Sequence, residues 1–205
     1  MAAPIPKRIL VFGHSFVSRL KDFIRYDSSL RYDLGLAGCP VIQYSGFPGA
    51  TVDRLHSKLQ KILDFNPDIV ILVIGTNDLY QPHQSPLSVA SAIRDLVDTI
   101  LYVDGISQVI VLQTLHRHLP TCQTRYPVDP QWFNTRVDEM NRLLMQWLNS
   151  SPNGRTYLWR LKGFWSPDCI LSNFAEDGCH LSSRGLLRFF NNIRAAVVAA
   201  LNQSI

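Results

Sequence analysis

Hydrophobic positions along the chain follow two alternating patterns. Continuous apolar runs occupy residues 8–12 (RILVF), 68–74 (DIVILVI) and 108–112 (QVIVL). Runs of this length without a polar alternation are what a strand covered on both faces requires. Residues 41–44 and 156–161 are shorter, weaker strand candidates. Between these runs the apolar residues recur every three or four positions, the period of an amphipathic helix. Phe16, Leu20, Phe23 and Ile24 share one face over residues 15–24. Val52, Leu55, Leu59, Ile62 and Leu63 predict one helix over 51–63. Val89, Ile93, Leu96, Val97 and Ile100 predict a helix over 86–102, and Phe133, Val137, Met140, Leu144, Trp147 and Leu148 one over 131–149. The last helix is expected over 182–201, with Ser182 or Ser183 as its cap and Leu186, Phe190, Ile193 and Val197 facing inward.

Five strands alternating with five helices imply right-handed crossovers and a parallel sheet between two helical layers, a three-layer α/β/α sandwich. In such sheets ligands bind beyond the carboxyl ends of the strands. The residues just after each strand are therefore where chemistry is expected.

Composition narrows the class. With 205 residues, 46% of them hydrophobic and 18% charged, the chain is too apolar for disorder and long enough to bury a core without a disulfide or metal staple. One domain is expected over 1–205, with its core in 8–201. No apolar run reaches the roughly 18 residues of a membrane span. The cysteines, Cys39, Cys122, Cys169 and Cys179, form no C-x-x-C pair and no Cys/His metal spacing, and read as free thiols of a reducing compartment. The opening MAAPIPKRILVFGHS has no apolar stretch of the kind a secretory signal carries. A cytoplasmic protein, or a domain of one, is the expectation.

Twenty Lys and Arg against sixteen Asp and Glu leave a net charge of +4. The basic residues are scattered, and their densest cluster is His116, Arg117, His118 and Arg125. A nucleic-acid footprint shows a basic stripe with interleaved aromatics; here a solvated basic surface is the simpler reading, and a nucleic-acid partner is not expected.

Three short motifs follow predicted strands and a fourth precedes the last helix, all at the sheet edge expected to carry a site. They are Gly13-His14-Ser15, the Gly46-to-Thr51 turn containing Gly49, Gly75-Thr76-Asn77-Asp78, and Asp177-Gly178-Cys179-His180. Each alone is commonplace. Together they supply a hydroxyl, a flexible turn, an amide and a carboxylate–imidazole pair at one sheet edge. A serine hydroxyl becomes a nucleophile when a base takes its proton. Imidazole does this near neutral pH, and a carboxylate behind it fixes the tautomer. The oxyanion that develops needs donors, for which the N–H groups of Ser15 and Gly49 and the Asn77 amide are candidates.

This ordered set resembles the SGNH (GDSL-type) hydrolase superfamily over residues 8–201. The resemblance implies a flavodoxin-like sheet of order 2-1-3-4-5, no cofactor, and hydrolysis of small-molecule, lipid or sugar esters. It places Ser15 as nucleophile, Asp177 and His180 as the rest of a triad, and Ser15, Gly49 and Asn77 as the oxyanion hole. The family's usual Gly-Asp-Ser is Gly13-His14-Ser15 here, so an imidazole able to carry charge stands beside the nucleophile. The stretch Gly-His-Ser-Phe-Val-x-Arg-Leu, residues 13–20, is also similar to esterase-like domains of eukaryotic retroelement proteins.

Each residue also has a plainer role. Ser15 could cap the first helix. Gly49 could serve only a turn, Asn77 and Asp78 an Asx-turn, and Asp177 and His180 a surface turn. His116 and His118 have metal-like spacing but no third ligand nearby, so no metal is expected. Residues 116–130 read as a loop over the site, making His116, Arg117, Trp165 and His14 candidate substrate contacts. Phe164 and Trp165 could equally fill core. Cys179, inside the Asp-x-x-His motif, is a candidate for alkylation. At the level of function, the alternative is a catalytically weak or inactive binding module of a mobile-element protein. The periodic apolar faces are consumed by the core and leave the oligomeric state open.

Overall fold

The computed structural model describes residues 5–118, 128–151, 154–165 and 171–203. Five strands, β1 (Arg8–Gly13), β2 (Val41–Gly46), β3 (Ile69–Val73), β4 (Gln108–Leu112) and β5 (Thr156–Trp159), form one sheet in the order β2-β1-β3-β4-β5. Every pairing is parallel. In the register, Val11 lies between Tyr44 and Ile71, and Gly13 lies between Gly46 and Val73. The order reverses between β1 and β3, so a crevice opens beyond their carboxyl ends.

Strand position explains the strength of each sequence signal. Every residue of β3 and β4 is buried, because both are flanked by strands and covered by helices on both faces. The edge strands β2 and β5 are only partly buried, and their apolar runs are correspondingly shorter. The expected strand 156–161 stops at Trp159. Leu161 beyond it is still buried, its N–H donating to Gln113 Oε1.

Alternate strand residues feed two cores. On one face Leu10, Phe12, Val70, Leu72, Val109 and Val111 pack under α2 (Val52–His56), α3 (Gln60–Phe65), α5 (Pro86–Leu101) and α6 (Pro130–Asn149). On the other face Ile9, Val11, Ile69, Ile71, Val73 and Ile110 pack under α1 (Ser15–Tyr26) and α7 (Ser183–Gln203). A short helix α4 (Thr76–Leu79) follows β3.

The single helix expected over 51–63 is instead two. Lys58 N–H bonds Leu55 C=O and Leu59 N–H bonds His56 C=O, both three residues back. These tighter turns change the phase of the chain. Leu63, placed on the inward face by a continuous 3.6-residue period, is 51% exposed, and Phe65 turns inward in its place. The last helix starts as expected: the Ser182 hydroxyl accepts from Gly185 N–H at 3.2 Å. Among the described residues no helix is long and apolar enough to cross a membrane.

Candidate active site

The end of β1 is fixed by close backbone contact. A Cβ on Gly13 would lie 2.2 Å from Val73 O, so only glycine fits there. His14 N–H donates to Val73 C=O at 3.1 Å, and Phe47 N–H donates to Gly13 C=O at 2.8 Å. These bonds join β1, β3 and the loop after β2 at the point where α1 begins. The N-cap of α1 is His14 and not Ser15: His14 Nδ1 accepts from Phe16 N–H at 3.4 Å. Ser15 is the first helical residue, so its N–H is one of the first-turn donors that have no acceptor within the helix.

His14 is 3% exposed. Burial, reinforced by repulsion from His180 and Arg117, lowers its pKa to about 3. Its Nδ1 acts as an acceptor, so in the neutral ring the proton sits on Nε2. The imidazole where the family motif carries aspartate is therefore an uncharged cap at neutral pH.

The loop after β2 turns at Gly49, whose φ of +71° lies in the left-handed region. Ala50 N–H closes this turn onto Phe47 C=O at 3.0 Å. Asn77 Nδ2 donates to Ala50 C=O at 2.8 Å. An amide nitrogen has two donors, so this bond orients Asn77 and leaves the second available. Asp78 Oδ1 accepts from Val52 N–H at 2.9 Å, locking the start of α2 to α4. Burial raises the Asp78 pKa to about 6, against the opposing pull of its bond from Val52.

Before α7, one carboxylate organises the turn. Asp177 Oδ1 accepts from Cys179 N–H at 2.9 Å and from His180 N–H at 2.8 Å. Its Oδ2 lies 2.6 Å from His180 Nδ1. Burial alone would raise the Asp177 pKa, but the hydrogen bonds from the His180 ring and the two backbone N–H groups outweigh it and hold it below the usual carboxylate range. With Nδ1 engaged, Nε2 is the ring nitrogen left for proton transfer. The turn is tied to the loop after β4, where His118 N–H donates to Gly178 C=O at 3.1 Å.

Ser15, Gly49, Asn77 and His180 line one open cavity of about 740 Å³, together with His14, Phe16, Tyr80, Arg117 and Cys179. Asp177 stands behind His180. Burial pushes the Cys179 thiol pKa up, which disfavours the thiolate that alkylation requires. His116 does not line this cavity; its Nε2 lies 2.7 Å from Asp138 Oδ1 on α6. Trp165 does not line it either. It is 41% exposed and stacks on Arg160, while Phe164 is buried in the core under α7. Of the loop expected over 116–130, residues 119–127 lie outside the described residues, as do Cys122 and Cys169. Among the described residues, Cys39 and Cys179 are free thiols, and no group of three metal-ligating side chains occurs.

The periodicity passed over two asparagines of α6. Asn141 Oδ1 accepts from Thr114 N–H at 3.1 Å, and its Nδ2 donates to Thr114 C=O at 2.9 Å. Asn134 brackets Arg117 in the same way, both bonds 2.8 Å. The pair stands seven residues apart, on the same side as Val137 and Met140. Polar residues inside an apolar stripe were the available signal.

A sheet that reverses order beside β1, with a hydroxyl, an amide and an imidazole–carboxylate pair gathered at its carboxyl edge, is an arrangement suited to hydrolytic α/β enzymes. The pattern of the GDSL-like lipase/acylhydrolase family matches residues 11–186, and the chain belongs to that family. No curated protein sequence matches it. Among solved structures it is similar to a lipase/acylhydrolase from Enterococcus faecalis (17% identity, 93% of this chain and 95% of that one, TM-score 0.67). It is also similar to a GDSL-like lipase from Bacteroides thetaiotaomicron (14% identity, 98% and 93%, TM-score 0.67). A third is an acetylxylan esterase from Geobacillus stearothermophilus (13% identity, 92% and 94%, TM-score 0.62). At these identities the likeness is one of fold.

Proposed function

We propose that the chain is a serine hydrolase of carboxylic esters, working through Ser15, His180 and Asp177. The observation that carries this reading is the Asp177–His180 pair at 2.6 Å, which leaves Nε2 free in a cavity shared with Ser15, Gly49 and Asn77. Ser15 Oγ attacks the acyl carbonyl as His180 Nε2 takes its proton. Asp177 steadies the resulting imidazolium. The tetrahedral oxyanion accepts hydrogen bonds from Ser15 N–H, Gly49 N–H and the second Asn77 N–H. His180 returns the proton to the departing alcohol, leaving an acyl-Ser15 ester. Water then attacks this ester, giving its proton to His180, and the carboxylic acid leaves as Ser15 is reprotonated.

Membership of an acylhydrolase family and a fold shared with an acetylxylan esterase support ester substrates, with a short acyl group such as acetyl among them. Residues 1–205 are read as one esterase domain. The Gly13-to-Leu20 stretch supports its belonging to a retroelement protein, and the free Cys39 and Cys179 thiols support a reducing compartment.

The test is hydrolysis of 4-nitrophenyl esters of two to twelve carbons. Activity is expected in the wild type, with Ser15→Ala and His180→Ala each removing most of it. The double variant should be barely worse than either single one, because such groups act as a unit. Turnover persisting in Ser15→Ala overturns the reading, as does a folded wild type that neither hydrolyses any ester nor is labelled at Ser15 by a fluorophosphonate.

A further inference from the structure

The cavity holds a cation for which the steps above have no use. Arg117 is 5% exposed. Its Cζ lies 4.0 Å from the centre of the Tyr80 ring and 4.5 Å from that of Phe133. Its Nε and Nη1 are buried and have no hydrogen-bond partner among the described residues. None of the ion pairs among the described residues includes it. The aromatic rings stabilise the charge but supply no acceptor, and a buried guanidinium with no counter-ion among the described residues is costly. Its main-chain N–H and C=O are both bonded to the Asn134 side chain, which ties this loop position to α6. Arg117 also lines the cavity that contains Ser15 and His180. Of the other fully charged residues in that lining, Arg19 and Asp22 offset one another in formal charge, leaving Arg117 as the excess.

We infer that Arg117 receives an acid group carried by the ester substrate, so that the enzyme selects anionic esters over neutral ones. This deepens the esterase reading and rests on it. A guanidinium offers paired donors that match carboxylate or phosphate oxygens. Binding such a group at the part of Arg117 that lines the cavity would supply the counter-charge that no ion pair among the described residues provides. The group would then help to hold the ester within the cavity that Ser15 lines.

Three matched pairs test this and separate the sources of the acid group. 4-Acetoxybenzoate against 4-acetoxybenzamide places a carboxylate on the leaving alcohol. Mono-4-nitrophenyl adipate against 4-nitrophenyl hexanoate places it on the acyl chain. 4-Acetoxyphenyl phosphate against 4-acetoxyanisole replaces it with phosphate. The wild type is expected to favour the anion in at least one pair by tenfold or more in kcat/KM. Arg117→Met should bring that ratio to one or below, and Arg117→Lys should keep part of it.

A wild type without anion preference in any pair overturns the inference, as does a preference that survives in Arg117→Met. If Arg117→Met does not fold, calorimetry on Ser15→Ala carries the test: at least one of the three anions must bind tenfold tighter than its neutral partner. Neutral esters hydrolysed through Ser15 without anion preference would sink this inference and leave the esterase reading standing. No ester turned over, but an anion bound selectively by Ser15→Ala, would do the reverse.

Discussion

His14 combines two properties that a sequence does not reveal together. It caps α1 through Nδ1, and it is buried deeply enough that its pKa falls to about 3. The unfolded chain binds a proton at this histidine below about pH 6.5, while the folded protein does not bind it until about pH 3. Its contribution is therefore fully present above pH 6.5 and is lost as pH falls toward 3, at up to about 1.4 kcal/mol per pH unit. Asp78 runs the other way. Its pKa is raised from 3.8 to about 6, so its contribution is fully present below 3.8 and lost as pH rises through 6. The two slopes oppose each other between about pH 4 and 6, and wild-type stability alone will not separate them. His14→Asn keeps a capping oxygen and removes the titration. The difference in unfolding free energy between wild type and His14→Asn should rise with pH between 4 and 6; a flat difference would mean that His14 is not buried as described. The identity of this residue is plain in the sequence, but its charge is not, since an imidazole beside Ser15 can be protonated or neutral. Its neutrality depends on Phe16, His180 and Arg117 closing around it.

At the scale of elements, the site is held by hydrogen bonds, most of them from a side chain to the main chain, between segments that are distant in sequence. Val52 N–H reaches Asp78, Asn77 reaches Ala50, His118 N–H reaches Gly178, and α6 clamps the loop after β4 at Thr114 and Arg117. Asn134→Ala leaves the N–H and C=O of Arg117 without their partners and should cost about 1–3 kcal/mol in denaturant unfolding. Its effect on esters should exceed that of a stability loss alone, with KM raised as Arg117 loosens. An unchanged KM would show that this clamp serves only folding. The helical period located α6 correctly but could not say what its two inward asparagines bind, because their partners come from another element. It also predicted one helix where α2 and α3 stand, since periodicity is blind to a turn that tightens by one residue.

For the whole molecule, the division of labour runs along the sheet. The strand centres build two cores, and the carboxyl ends carry the chemistry. Ile71, fully buried in the middle of β3, belongs to the core under α1 and α7. Ile71→Ala should lower stability by about 2–5 kcal/mol. The turnover of the protein that remains folded should be nearly unchanged, measured as kcat per site titrated with fluorophosphonate. A loss of kcat in step with stability would mean that site and core are less separable than the fold suggests.

Continuous apolar runs determined β1, β3 and β4, and the helical period determined α1, α5, α6 and α7, because burial between layers dictates residue type directly. The motifs after β1, β2 and β3 were legible because parallel crossovers bring those strand ends to one edge, whereas the sheet order followed from the family resemblance and not from the apolar pattern. Three-dimensional packing alone decided which members of that edge share a cavity. It set His116 against Asp138 and Trp165 on Arg160, away from Ser15. It also buried Arg117 between Tyr80 and Phe133, with donors unfilled among the described residues. Exposure and charge compensation are properties of neighbours in space, and a linear pattern of polar and apolar residues does not contain them.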